Sequence, residues 1–65
     1  MLGNRIAMLR REANFSQREL ASRLHVSPSA VGMYEQGRRE PSINILVAIA
    51  QELHVTIDYL VLGCL

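Results

Sequence analysis

The chain has 65 residues, 49% of them hydrophobic, with seven basic side chains against six acidic ones for a formal net charge of +1. A chain this short makes one small domain that hides only about 60% of its unfolded surface, which excludes a second core. A balance so near neutrality, with pI about 8.0, also excludes the strongly basic composition that announces nucleic-acid binding unaided, so any electrostatic argument has to come from where the charges lie.

Hydrophobic spacing and capping residues divide the chain into five helices. The first is expected from about Asn4 to Ala13, with Leu2, Ile6, Leu9 and Ala13 on one stripe and Arg5, Arg10, Arg11 and Glu12 largely off it, and Asn14 as its stop. Ser16 then caps a second helix. Glu19 three residues on completes a capping box, and Phe15 ahead of the cap pairs with Leu20 as a hydrophobic staple. Leu20, Ala21 and Leu24 share a face because residues three or four apart stack on one side. His25, Val26 and Ser27 leave a three-residue turn. Ser27 caps the third helix with Pro28 at its first position, where the ring's fixed dihedral and missing N–H do no harm.

Ala30, Val31 and Tyr34 form the inner face of that third helix, and Gly37 is its left-handed stop. Ala21 is small enough to admit a second helix at a steep angle, so Gln17 to Gly37 reads as two short helices crossed over a tight turn, a helix-turn-helix. Arg38, Arg39, Glu40 and Pro41 make a loop. Ser42 caps a fourth helix from Ile43 to Leu53 with Leu46, Ile49, Ala50 and Leu53 inward. Thr56 caps a short fifth helix with Asp58 in its first turn, Ile57, Leu60 and Val61 apolar, and Gly63 as its end. No internal repeat, linker or low-complexity segment interrupts this plan.

All seven cations are arginines, the side chain best suited to bidentate phosphate contact. Arg10, Arg11, Arg18, Arg38 and Arg39 fall near the ends or borders of the two-helix motif. His25 and His54 are far apart, with no Cys or paired carboxylate at metal-ligand spacing, so no metal site and no cofactor are expected. Glu12, Glu19, Glu40, Glu52 and Asp58 form no acid–base pair, and no nucleophile stands beside a recognisable base, so the chain does not read as an enzyme. The single Cys64 has no internal disulfide partner; it reads as an exposed or interface thiol in a reducing compartment. With no run of about 18 apolar residues and no signal-like start, a cytoplasmic chain without membrane attachment is expected.

From Ile6 to Gly63 the chain resembles the Cro and phage-repressor (XRE) type of helix-turn-helix DNA-binding domain. The resemblance is carried by S-Q-x-E-L-A at Ser16 to Ala21, S-x-x-x-V at Ser27 to Val31, Y-E-x-G at Tyr34 to Gly37, Pro41-Ser42, and D-Y-L-x-x-G at Asp58 to Gly63. It implies an all-α fold, a compact five-helix bundle of the lambda-repressor-like type, in which residues 1–65 are one DNA-binding domain. Two departures stand out: His25 occupies a left-handed position where the family often has Gly or Asn, and the third helix presents short or apolar residues where the family carries long polar ones.

By this resemblance the start of the third helix enters the major groove, so Ser27, Pro28, Ser29, Gly32 and Met33 face base edges. Ser offers one hydrogen bond and Met an apolar contact to a thymine methyl. None makes the bidentate contacts that discriminate most, so specificity is expected to lean on DNA shape. Gln17, Arg18, Gln36, Arg38 and Arg39 are the implied phosphate ligands, with Gln17 at a helix N-terminus that attracts anions. Arg10 and Glu35 match a pair that forms a partly buried ion bridge in the family, from which Arg10 also reaches phosphate.

The function so implied is that of a repressor-type transcriptional regulator, a prokaryotic or phage protein associated with the nucleoid, binding two-fold related operator half-sites on double-stranded DNA as a homodimer. The alternative is an antitoxin-like or protein-interaction module of the same fold that uses the apolar tail Tyr59 to Leu65. That tail has three readings: helix core with a frayed end, a dimer contact, or the junction to a further C-terminal domain. The dimer contact is preferred, since Leu62 and Leu65 would be a liability as one exposed patch.

Overall fold

A computed structural model describes residues 1–63; Cys64 and Leu65, and with them the expectations for the thiol and the end of the tail, lie outside the described residues. Five helices follow in order: α1 (Leu2–Glu12), α2 (Gln17–Leu24), α3 (Pro28–Gln36), α4 (Ile43–Glu52) and α5 (Ile57–Leu62). The described residues contain no strand. This is the all-α five-helix arrangement that the resemblance implies, with α2 and α3 as the helix-turn-helix.

Each helix start after the first is fixed by a side chain one residue ahead of it. The Ser16 hydroxyl accepts from the Glu19 N–H at 3.0 Å while the Ser16 N–H donates to the Glu19 carboxylate at 2.8 Å, a complete capping box. The backbone N–H and then the hydroxyl of Ser16 hold the Glu19 carboxyl below its usual range, with Arg23 adding a smaller pull. Ser27, Ser42 and Thr56 accept in the same way from Ala30, Ile45 and Tyr59. Helix ends are equally regular. Phe15, Val26, Arg38 and Val55 donate their N–H groups to Arg10, Ala21, Met33 and Ala50, each at 3.0 Å, closing the same six-residue loop behind α1, α2, α3 and α4.

That closure needs a left-handed residue, which is Asn14, His25, Gly37 and His54 in turn. Three of the four carry a side chain that the conformation penalises. His25 sits at φ 59°. A side chain in this region costs roughly 1–2 kcal/mol, and glycine gives back about 0.5–1 kcal/mol in chain entropy, so His25→Gly is expected to stabilise by up to about 1 kcal/mol. Thermal unfolding followed by circular dichroism would show this as a Tm rise of no more than roughly 4–8 °C; a fall would mean that the imidazole makes a contact that outweighs its strain.

The core gathers Ile6 and Leu9 of α1, Leu20, Ala21 and Leu24 of α2, Ala30, Val31 and Tyr34 of α3, Ile49 and Ala50 of α4 with Leu53 behind it, and Leu60 of α5. Ile6, Leu20, Val31, Ile49 and Leu60 are sealed from solvent. Around this centre α3 is flanked by α1 and α2, while α4 and α5 close the far side.

The structure corrects the reading of α1. The helix begins at Leu2, two residues before Asn4, and Ala13 is exposed at its C-cap instead of buried on the stripe. Arg10 is the larger correction, because it lies inside. Hydrophobic periodicity assigns a guanidinium to the wet face by default, whereas this one is drawn in by partners that only the tertiary fold supplies. Arg5 too is half-buried, and its Nη1 donates at 3.2 Å to the Leu60 carbonyl in the last turn of α5. A cation there satisfies an orphan carbonyl and favours the negative end of the helix.

Candidate nucleic-acid interface

The turn from α2 to α3 leaves the first half of α3 proud of the bundle, because Ala30, Val31 and Tyr34 face the core while Pro28, Ser29 and Met33 are exposed. Beside them the N-terminus of α2 and the loop after α3 come level. The result is a shallow hollow of about 410 Å³ lined by Gln17, Pro28, Ser29, Gly32, Met33, Gln36 and Arg38. Four residues expected to face bases and three expected to hold phosphate thus meet on one surface.

The other expected residues are placed differently. Ser27 is spent on capping, its hydroxyl accepting from Ala30 at 3.1 Å, and does not line the hollow. Arg18 is exposed on the first turn of α2, next to Gln17 but outside the hollow. Arg39 turns to a separate, smaller recess of about 130 Å³ with Gly37, Glu40, Pro41, Tyr34 and the first three residues of the chain. Gly32 is buried, and a Cβ built on it would stand 3.8 Å from both polar atoms of the Gln17 amide.

Arg10 is committed inward. Its Nε meets Glu35 Oε2 at 2.6 Å, its Nη2 donates to Oε1 at 3.2 Å, and its Nη1 donates to the Phe15 carbonyl at 2.8 Å. The two side chains are only 10% and 7% exposed. This fork against a carboxylate is the bidentate geometry that Arg provides and Lys cannot. The pair therefore ties α1 to α3 and, through Phe15, to the entry of α2.

A second hollow that the sequence pattern does not reveal on its own, also about 410 Å³, lies where Asn4, Ala7 and Arg11 of α1 adjoin Gln17, Glu35 and Gln36. The signal was present, since Asn4, Ala7 and Arg11 follow helical spacing on one face of α1, but the face acquires meaning only when α1 is laid beside the motif. Arg23 lies on another side altogether. It stands 4.6 Å over the Phe15 ring and 3.3 Å from Glu52, binding α2 to α4. With its side chain more than half exposed, that ion pair contributes little.

Both histidines occupy left-handed helix ends, and among the described residues no group of three or more His, Cys, Asp or Glu could hold a metal ion. No helix of the described residues is long and apolar enough to cross a membrane.

Comparison with known proteins places the chain in a family and a fold. The helix-turn-helix family profile matches residues 6–60. Among curated relatives, the HTH-type transcriptional regulator YqaE of Bacillus subtilis is 32% identical over 63 residues, covering 97% of this chain and 54% of the relative. The chain thus spans about half the length of the curated relatives it matches. Among solved structures, the P22 c2 repressor in complex with a synthetic operator superimposes with a TM-score of 0.93 at 30% identity, covering 98% of this chain and 97% of that one. The biofilm master regulator SinR in complex with DNA gives a TM-score of 0.85 at 33% identity, covering 92% and 97%.

Proposed function

Since the chain belongs to the XRE-type helix-turn-helix family, we propose that it is a double-stranded-DNA-binding transcriptional regulator of the repressor type, which seats α3 in the major groove of an operator half-site. The observation that carries this reading is the hollow in which Pro28, Ser29, Gly32 and Met33 are framed by Gln17, Gln36 and Arg38. Two of the solved structures that this chain resembles are a repressor on its operator and a regulator bound to DNA, which supports the same reading. The relatives reported above are regulators of transcription, and nothing among them favours the antitoxin-like alternative or an enzyme.

The division of labour follows from reach. Gln17, Gln36 and Arg38 at the rim, with Arg18 and Arg39 farther out, hold backbone phosphates and set register without reading sequence. Gln17 and Arg18 occupy the first turn of α2, where free N–H groups and the helix dipole add to the attraction. Ser29 and Met33, the latter 41% exposed, are the readers. Arg10, turned inward, supports this surface from behind. Few phosphate contacts make one domain a weak binder, so a homodimer spans two half-sites about 34–36 Å apart. Ile57, Val61 and Leu62 of α5 are its candidate contact, since all three are exposed apolar residues on one short helix. Such a regulator works in the cytoplasm at the nucleoid.

Selection of bound duplexes from a random library, repeated over a range of salt, tests the proposal. An inverted repeat is expected, with affinity falling steeply as salt rises. No enriched duplex and no salt-dependent binding at low salt would overturn it. Within that assay, Arg38→Ala with Arg39→Ala should weaken binding to all sequences alike. The salt slope should fall by about one for each phosphate no longer held, more from Arg38 than from the outlying Arg39. Ser29→Ala or Met33→Ala should instead change the preferred sequence. Uniform losses from both sets would sink the division of roles.

A further inference from the structure

One carboxylate serves two masters at the centre of the interface. Glu35 Oε2 belongs to Arg10, but Oε1 is shared, accepting from Arg10 Nη2 at 3.2 Å and from Gln17 Nε2 at 3.0 Å. A carboxylate paired with a guanidinium only accepts, so it dictates which end of the Gln17 amide turns towards it. The same side chain runs past Gly32, where a Cβ would still be at ordinary contact distance of 3.8 Å but anything longer would enter the space that the amide fills. Three elements thus converge on one amide: α1 through Arg10, α3 through Glu35 and Gly32, and α2, which carries it.

We propose that Glu35 is a positioning residue of the DNA interface, holding the Gln17 amide across Gly32 so that a phosphate contact made from α2 is aimed by α3. The proposal rests on the reading of Gln17 as a phosphate ligand and deepens it. An unrestrained glutamine gives up three torsions on binding, whereas one already tethered to Glu35 has given them up in folding. Gly32 is then the seat of that side chain and not a reader of bases. The tether also fixes the phosphate contact relative to the reading helix, which is what register on the duplex requires.

The test uses a mixed-sequence duplex of about 20 base pairs at low salt, where phosphate contacts dominate. Gln17→Ala should weaken binding about tenfold, the scale of one hydrogen bond to a charged group. Arg10→Met combined with Glu35→Leu removes the tether without stranding a buried charge; on that background Gln17→Ala should cost under about threefold. Gly32→Leu should reproduce the tenfold loss alone and add nothing to Gln17→Ala. In the free protein, one side-chain amide proton of Gln17 should be shifted downfield and protected from exchange, and the double replacement should return it to free-glutamine values. Equal tenfold losses on both backgrounds, a further loss from Gly32→Leu on Gln17→Ala, or an unshifted Gln17 amide would overturn the positioning role alone. Absence of salt-dependent duplex binding by the unmodified protein would overturn the DNA-binding reading as well.

Discussion

Arg10→Ala is expected to cost about 3–5 kcal/mol of stability, the characteristic penalty for removing one partner of a buried ion pair. Among the described residues the Glu35 carboxylate, 7% exposed, would keep only the Gln17 amide as a partner, and the Phe15 carbonyl would lose its side-chain donor. Domains of this size hold roughly 0.05–0.15 kcal/mol per residue, so the loss takes at least about a third of the margin. At roughly 4–8 °C per kcal/mol, a Tm drop of at least about 12 °C should be seen in a circular dichroism melt. The control separates charge from volume. Arg10→Met with Glu35→Leu removes both ions and keeps apolar bulk, and it should recover most of the stability, since a buried pair gains little over well-packed hydrophobic replacements. A double variant as unstable as Arg10→Ala would show that the pair itself, not the stranded carboxylate, carries the energy.

Residues whose role is decided within a few positions were legible in the sequence. Ser16 with Glu19, Ser27 with Pro28, Ser42 and Thr56 cap where their neighbours predict, because a cap's partner is three residues away. The inward faces of α2 and α3 were equally plain, and the motif placed Gln17, Ser29, Met33 and Arg38 on one surface. What escaped the sequence depends on partners far along the chain. Arg5 finds Leu60, Asn4 and Arg11 find the motif only once α1 crosses it, and Gly32 acquires its neighbour from α2. Arg10 reads both ways, off the apolar stripe by periodicity and beside Glu35 by resemblance. The second reading yields the bond and the first the wrong face. Periodicity records average polarity; a guanidinium with a carboxylate and a carbonyl in reach is no longer an average cation.

Gly3 shows the same limit at its sharpest. It lies in the first turn of α1, and a Cβ there would stand 2.5 Å from the Glu35 carbonyl oxygen and 2.7 Å from that of Tyr34. Both are backbone atoms in the last turn of α3, so no rotamer change relieves the overlap. Helix propensity alone favours alanine over glycine by about 1 kcal/mol. Against that, prising two packed helices apart costs about 1–3 kcal/mol, and the shift also stretches Arg10 away from Glu35. Gly3→Ala should therefore destabilise, with a Tm fall of several degrees, and Gly3→Val should go further. Gly32→Ala supplies the opposite sign. It too replaces a helical glycine, but its new methyl meets the Gln17 amide at 3.8 Å, so propensity wins and stability rises by up to about 1 kcal/mol. Two identical substitutions with opposite effects on Tm would confirm that the α1–α3 approach, and with it the seat of the Arg10–Glu35–Gln17 chain, is set by the missing side chain at position 3. A gain in both would mean that α1 can retreat from α3 freely and that the interface does not depend on their contact.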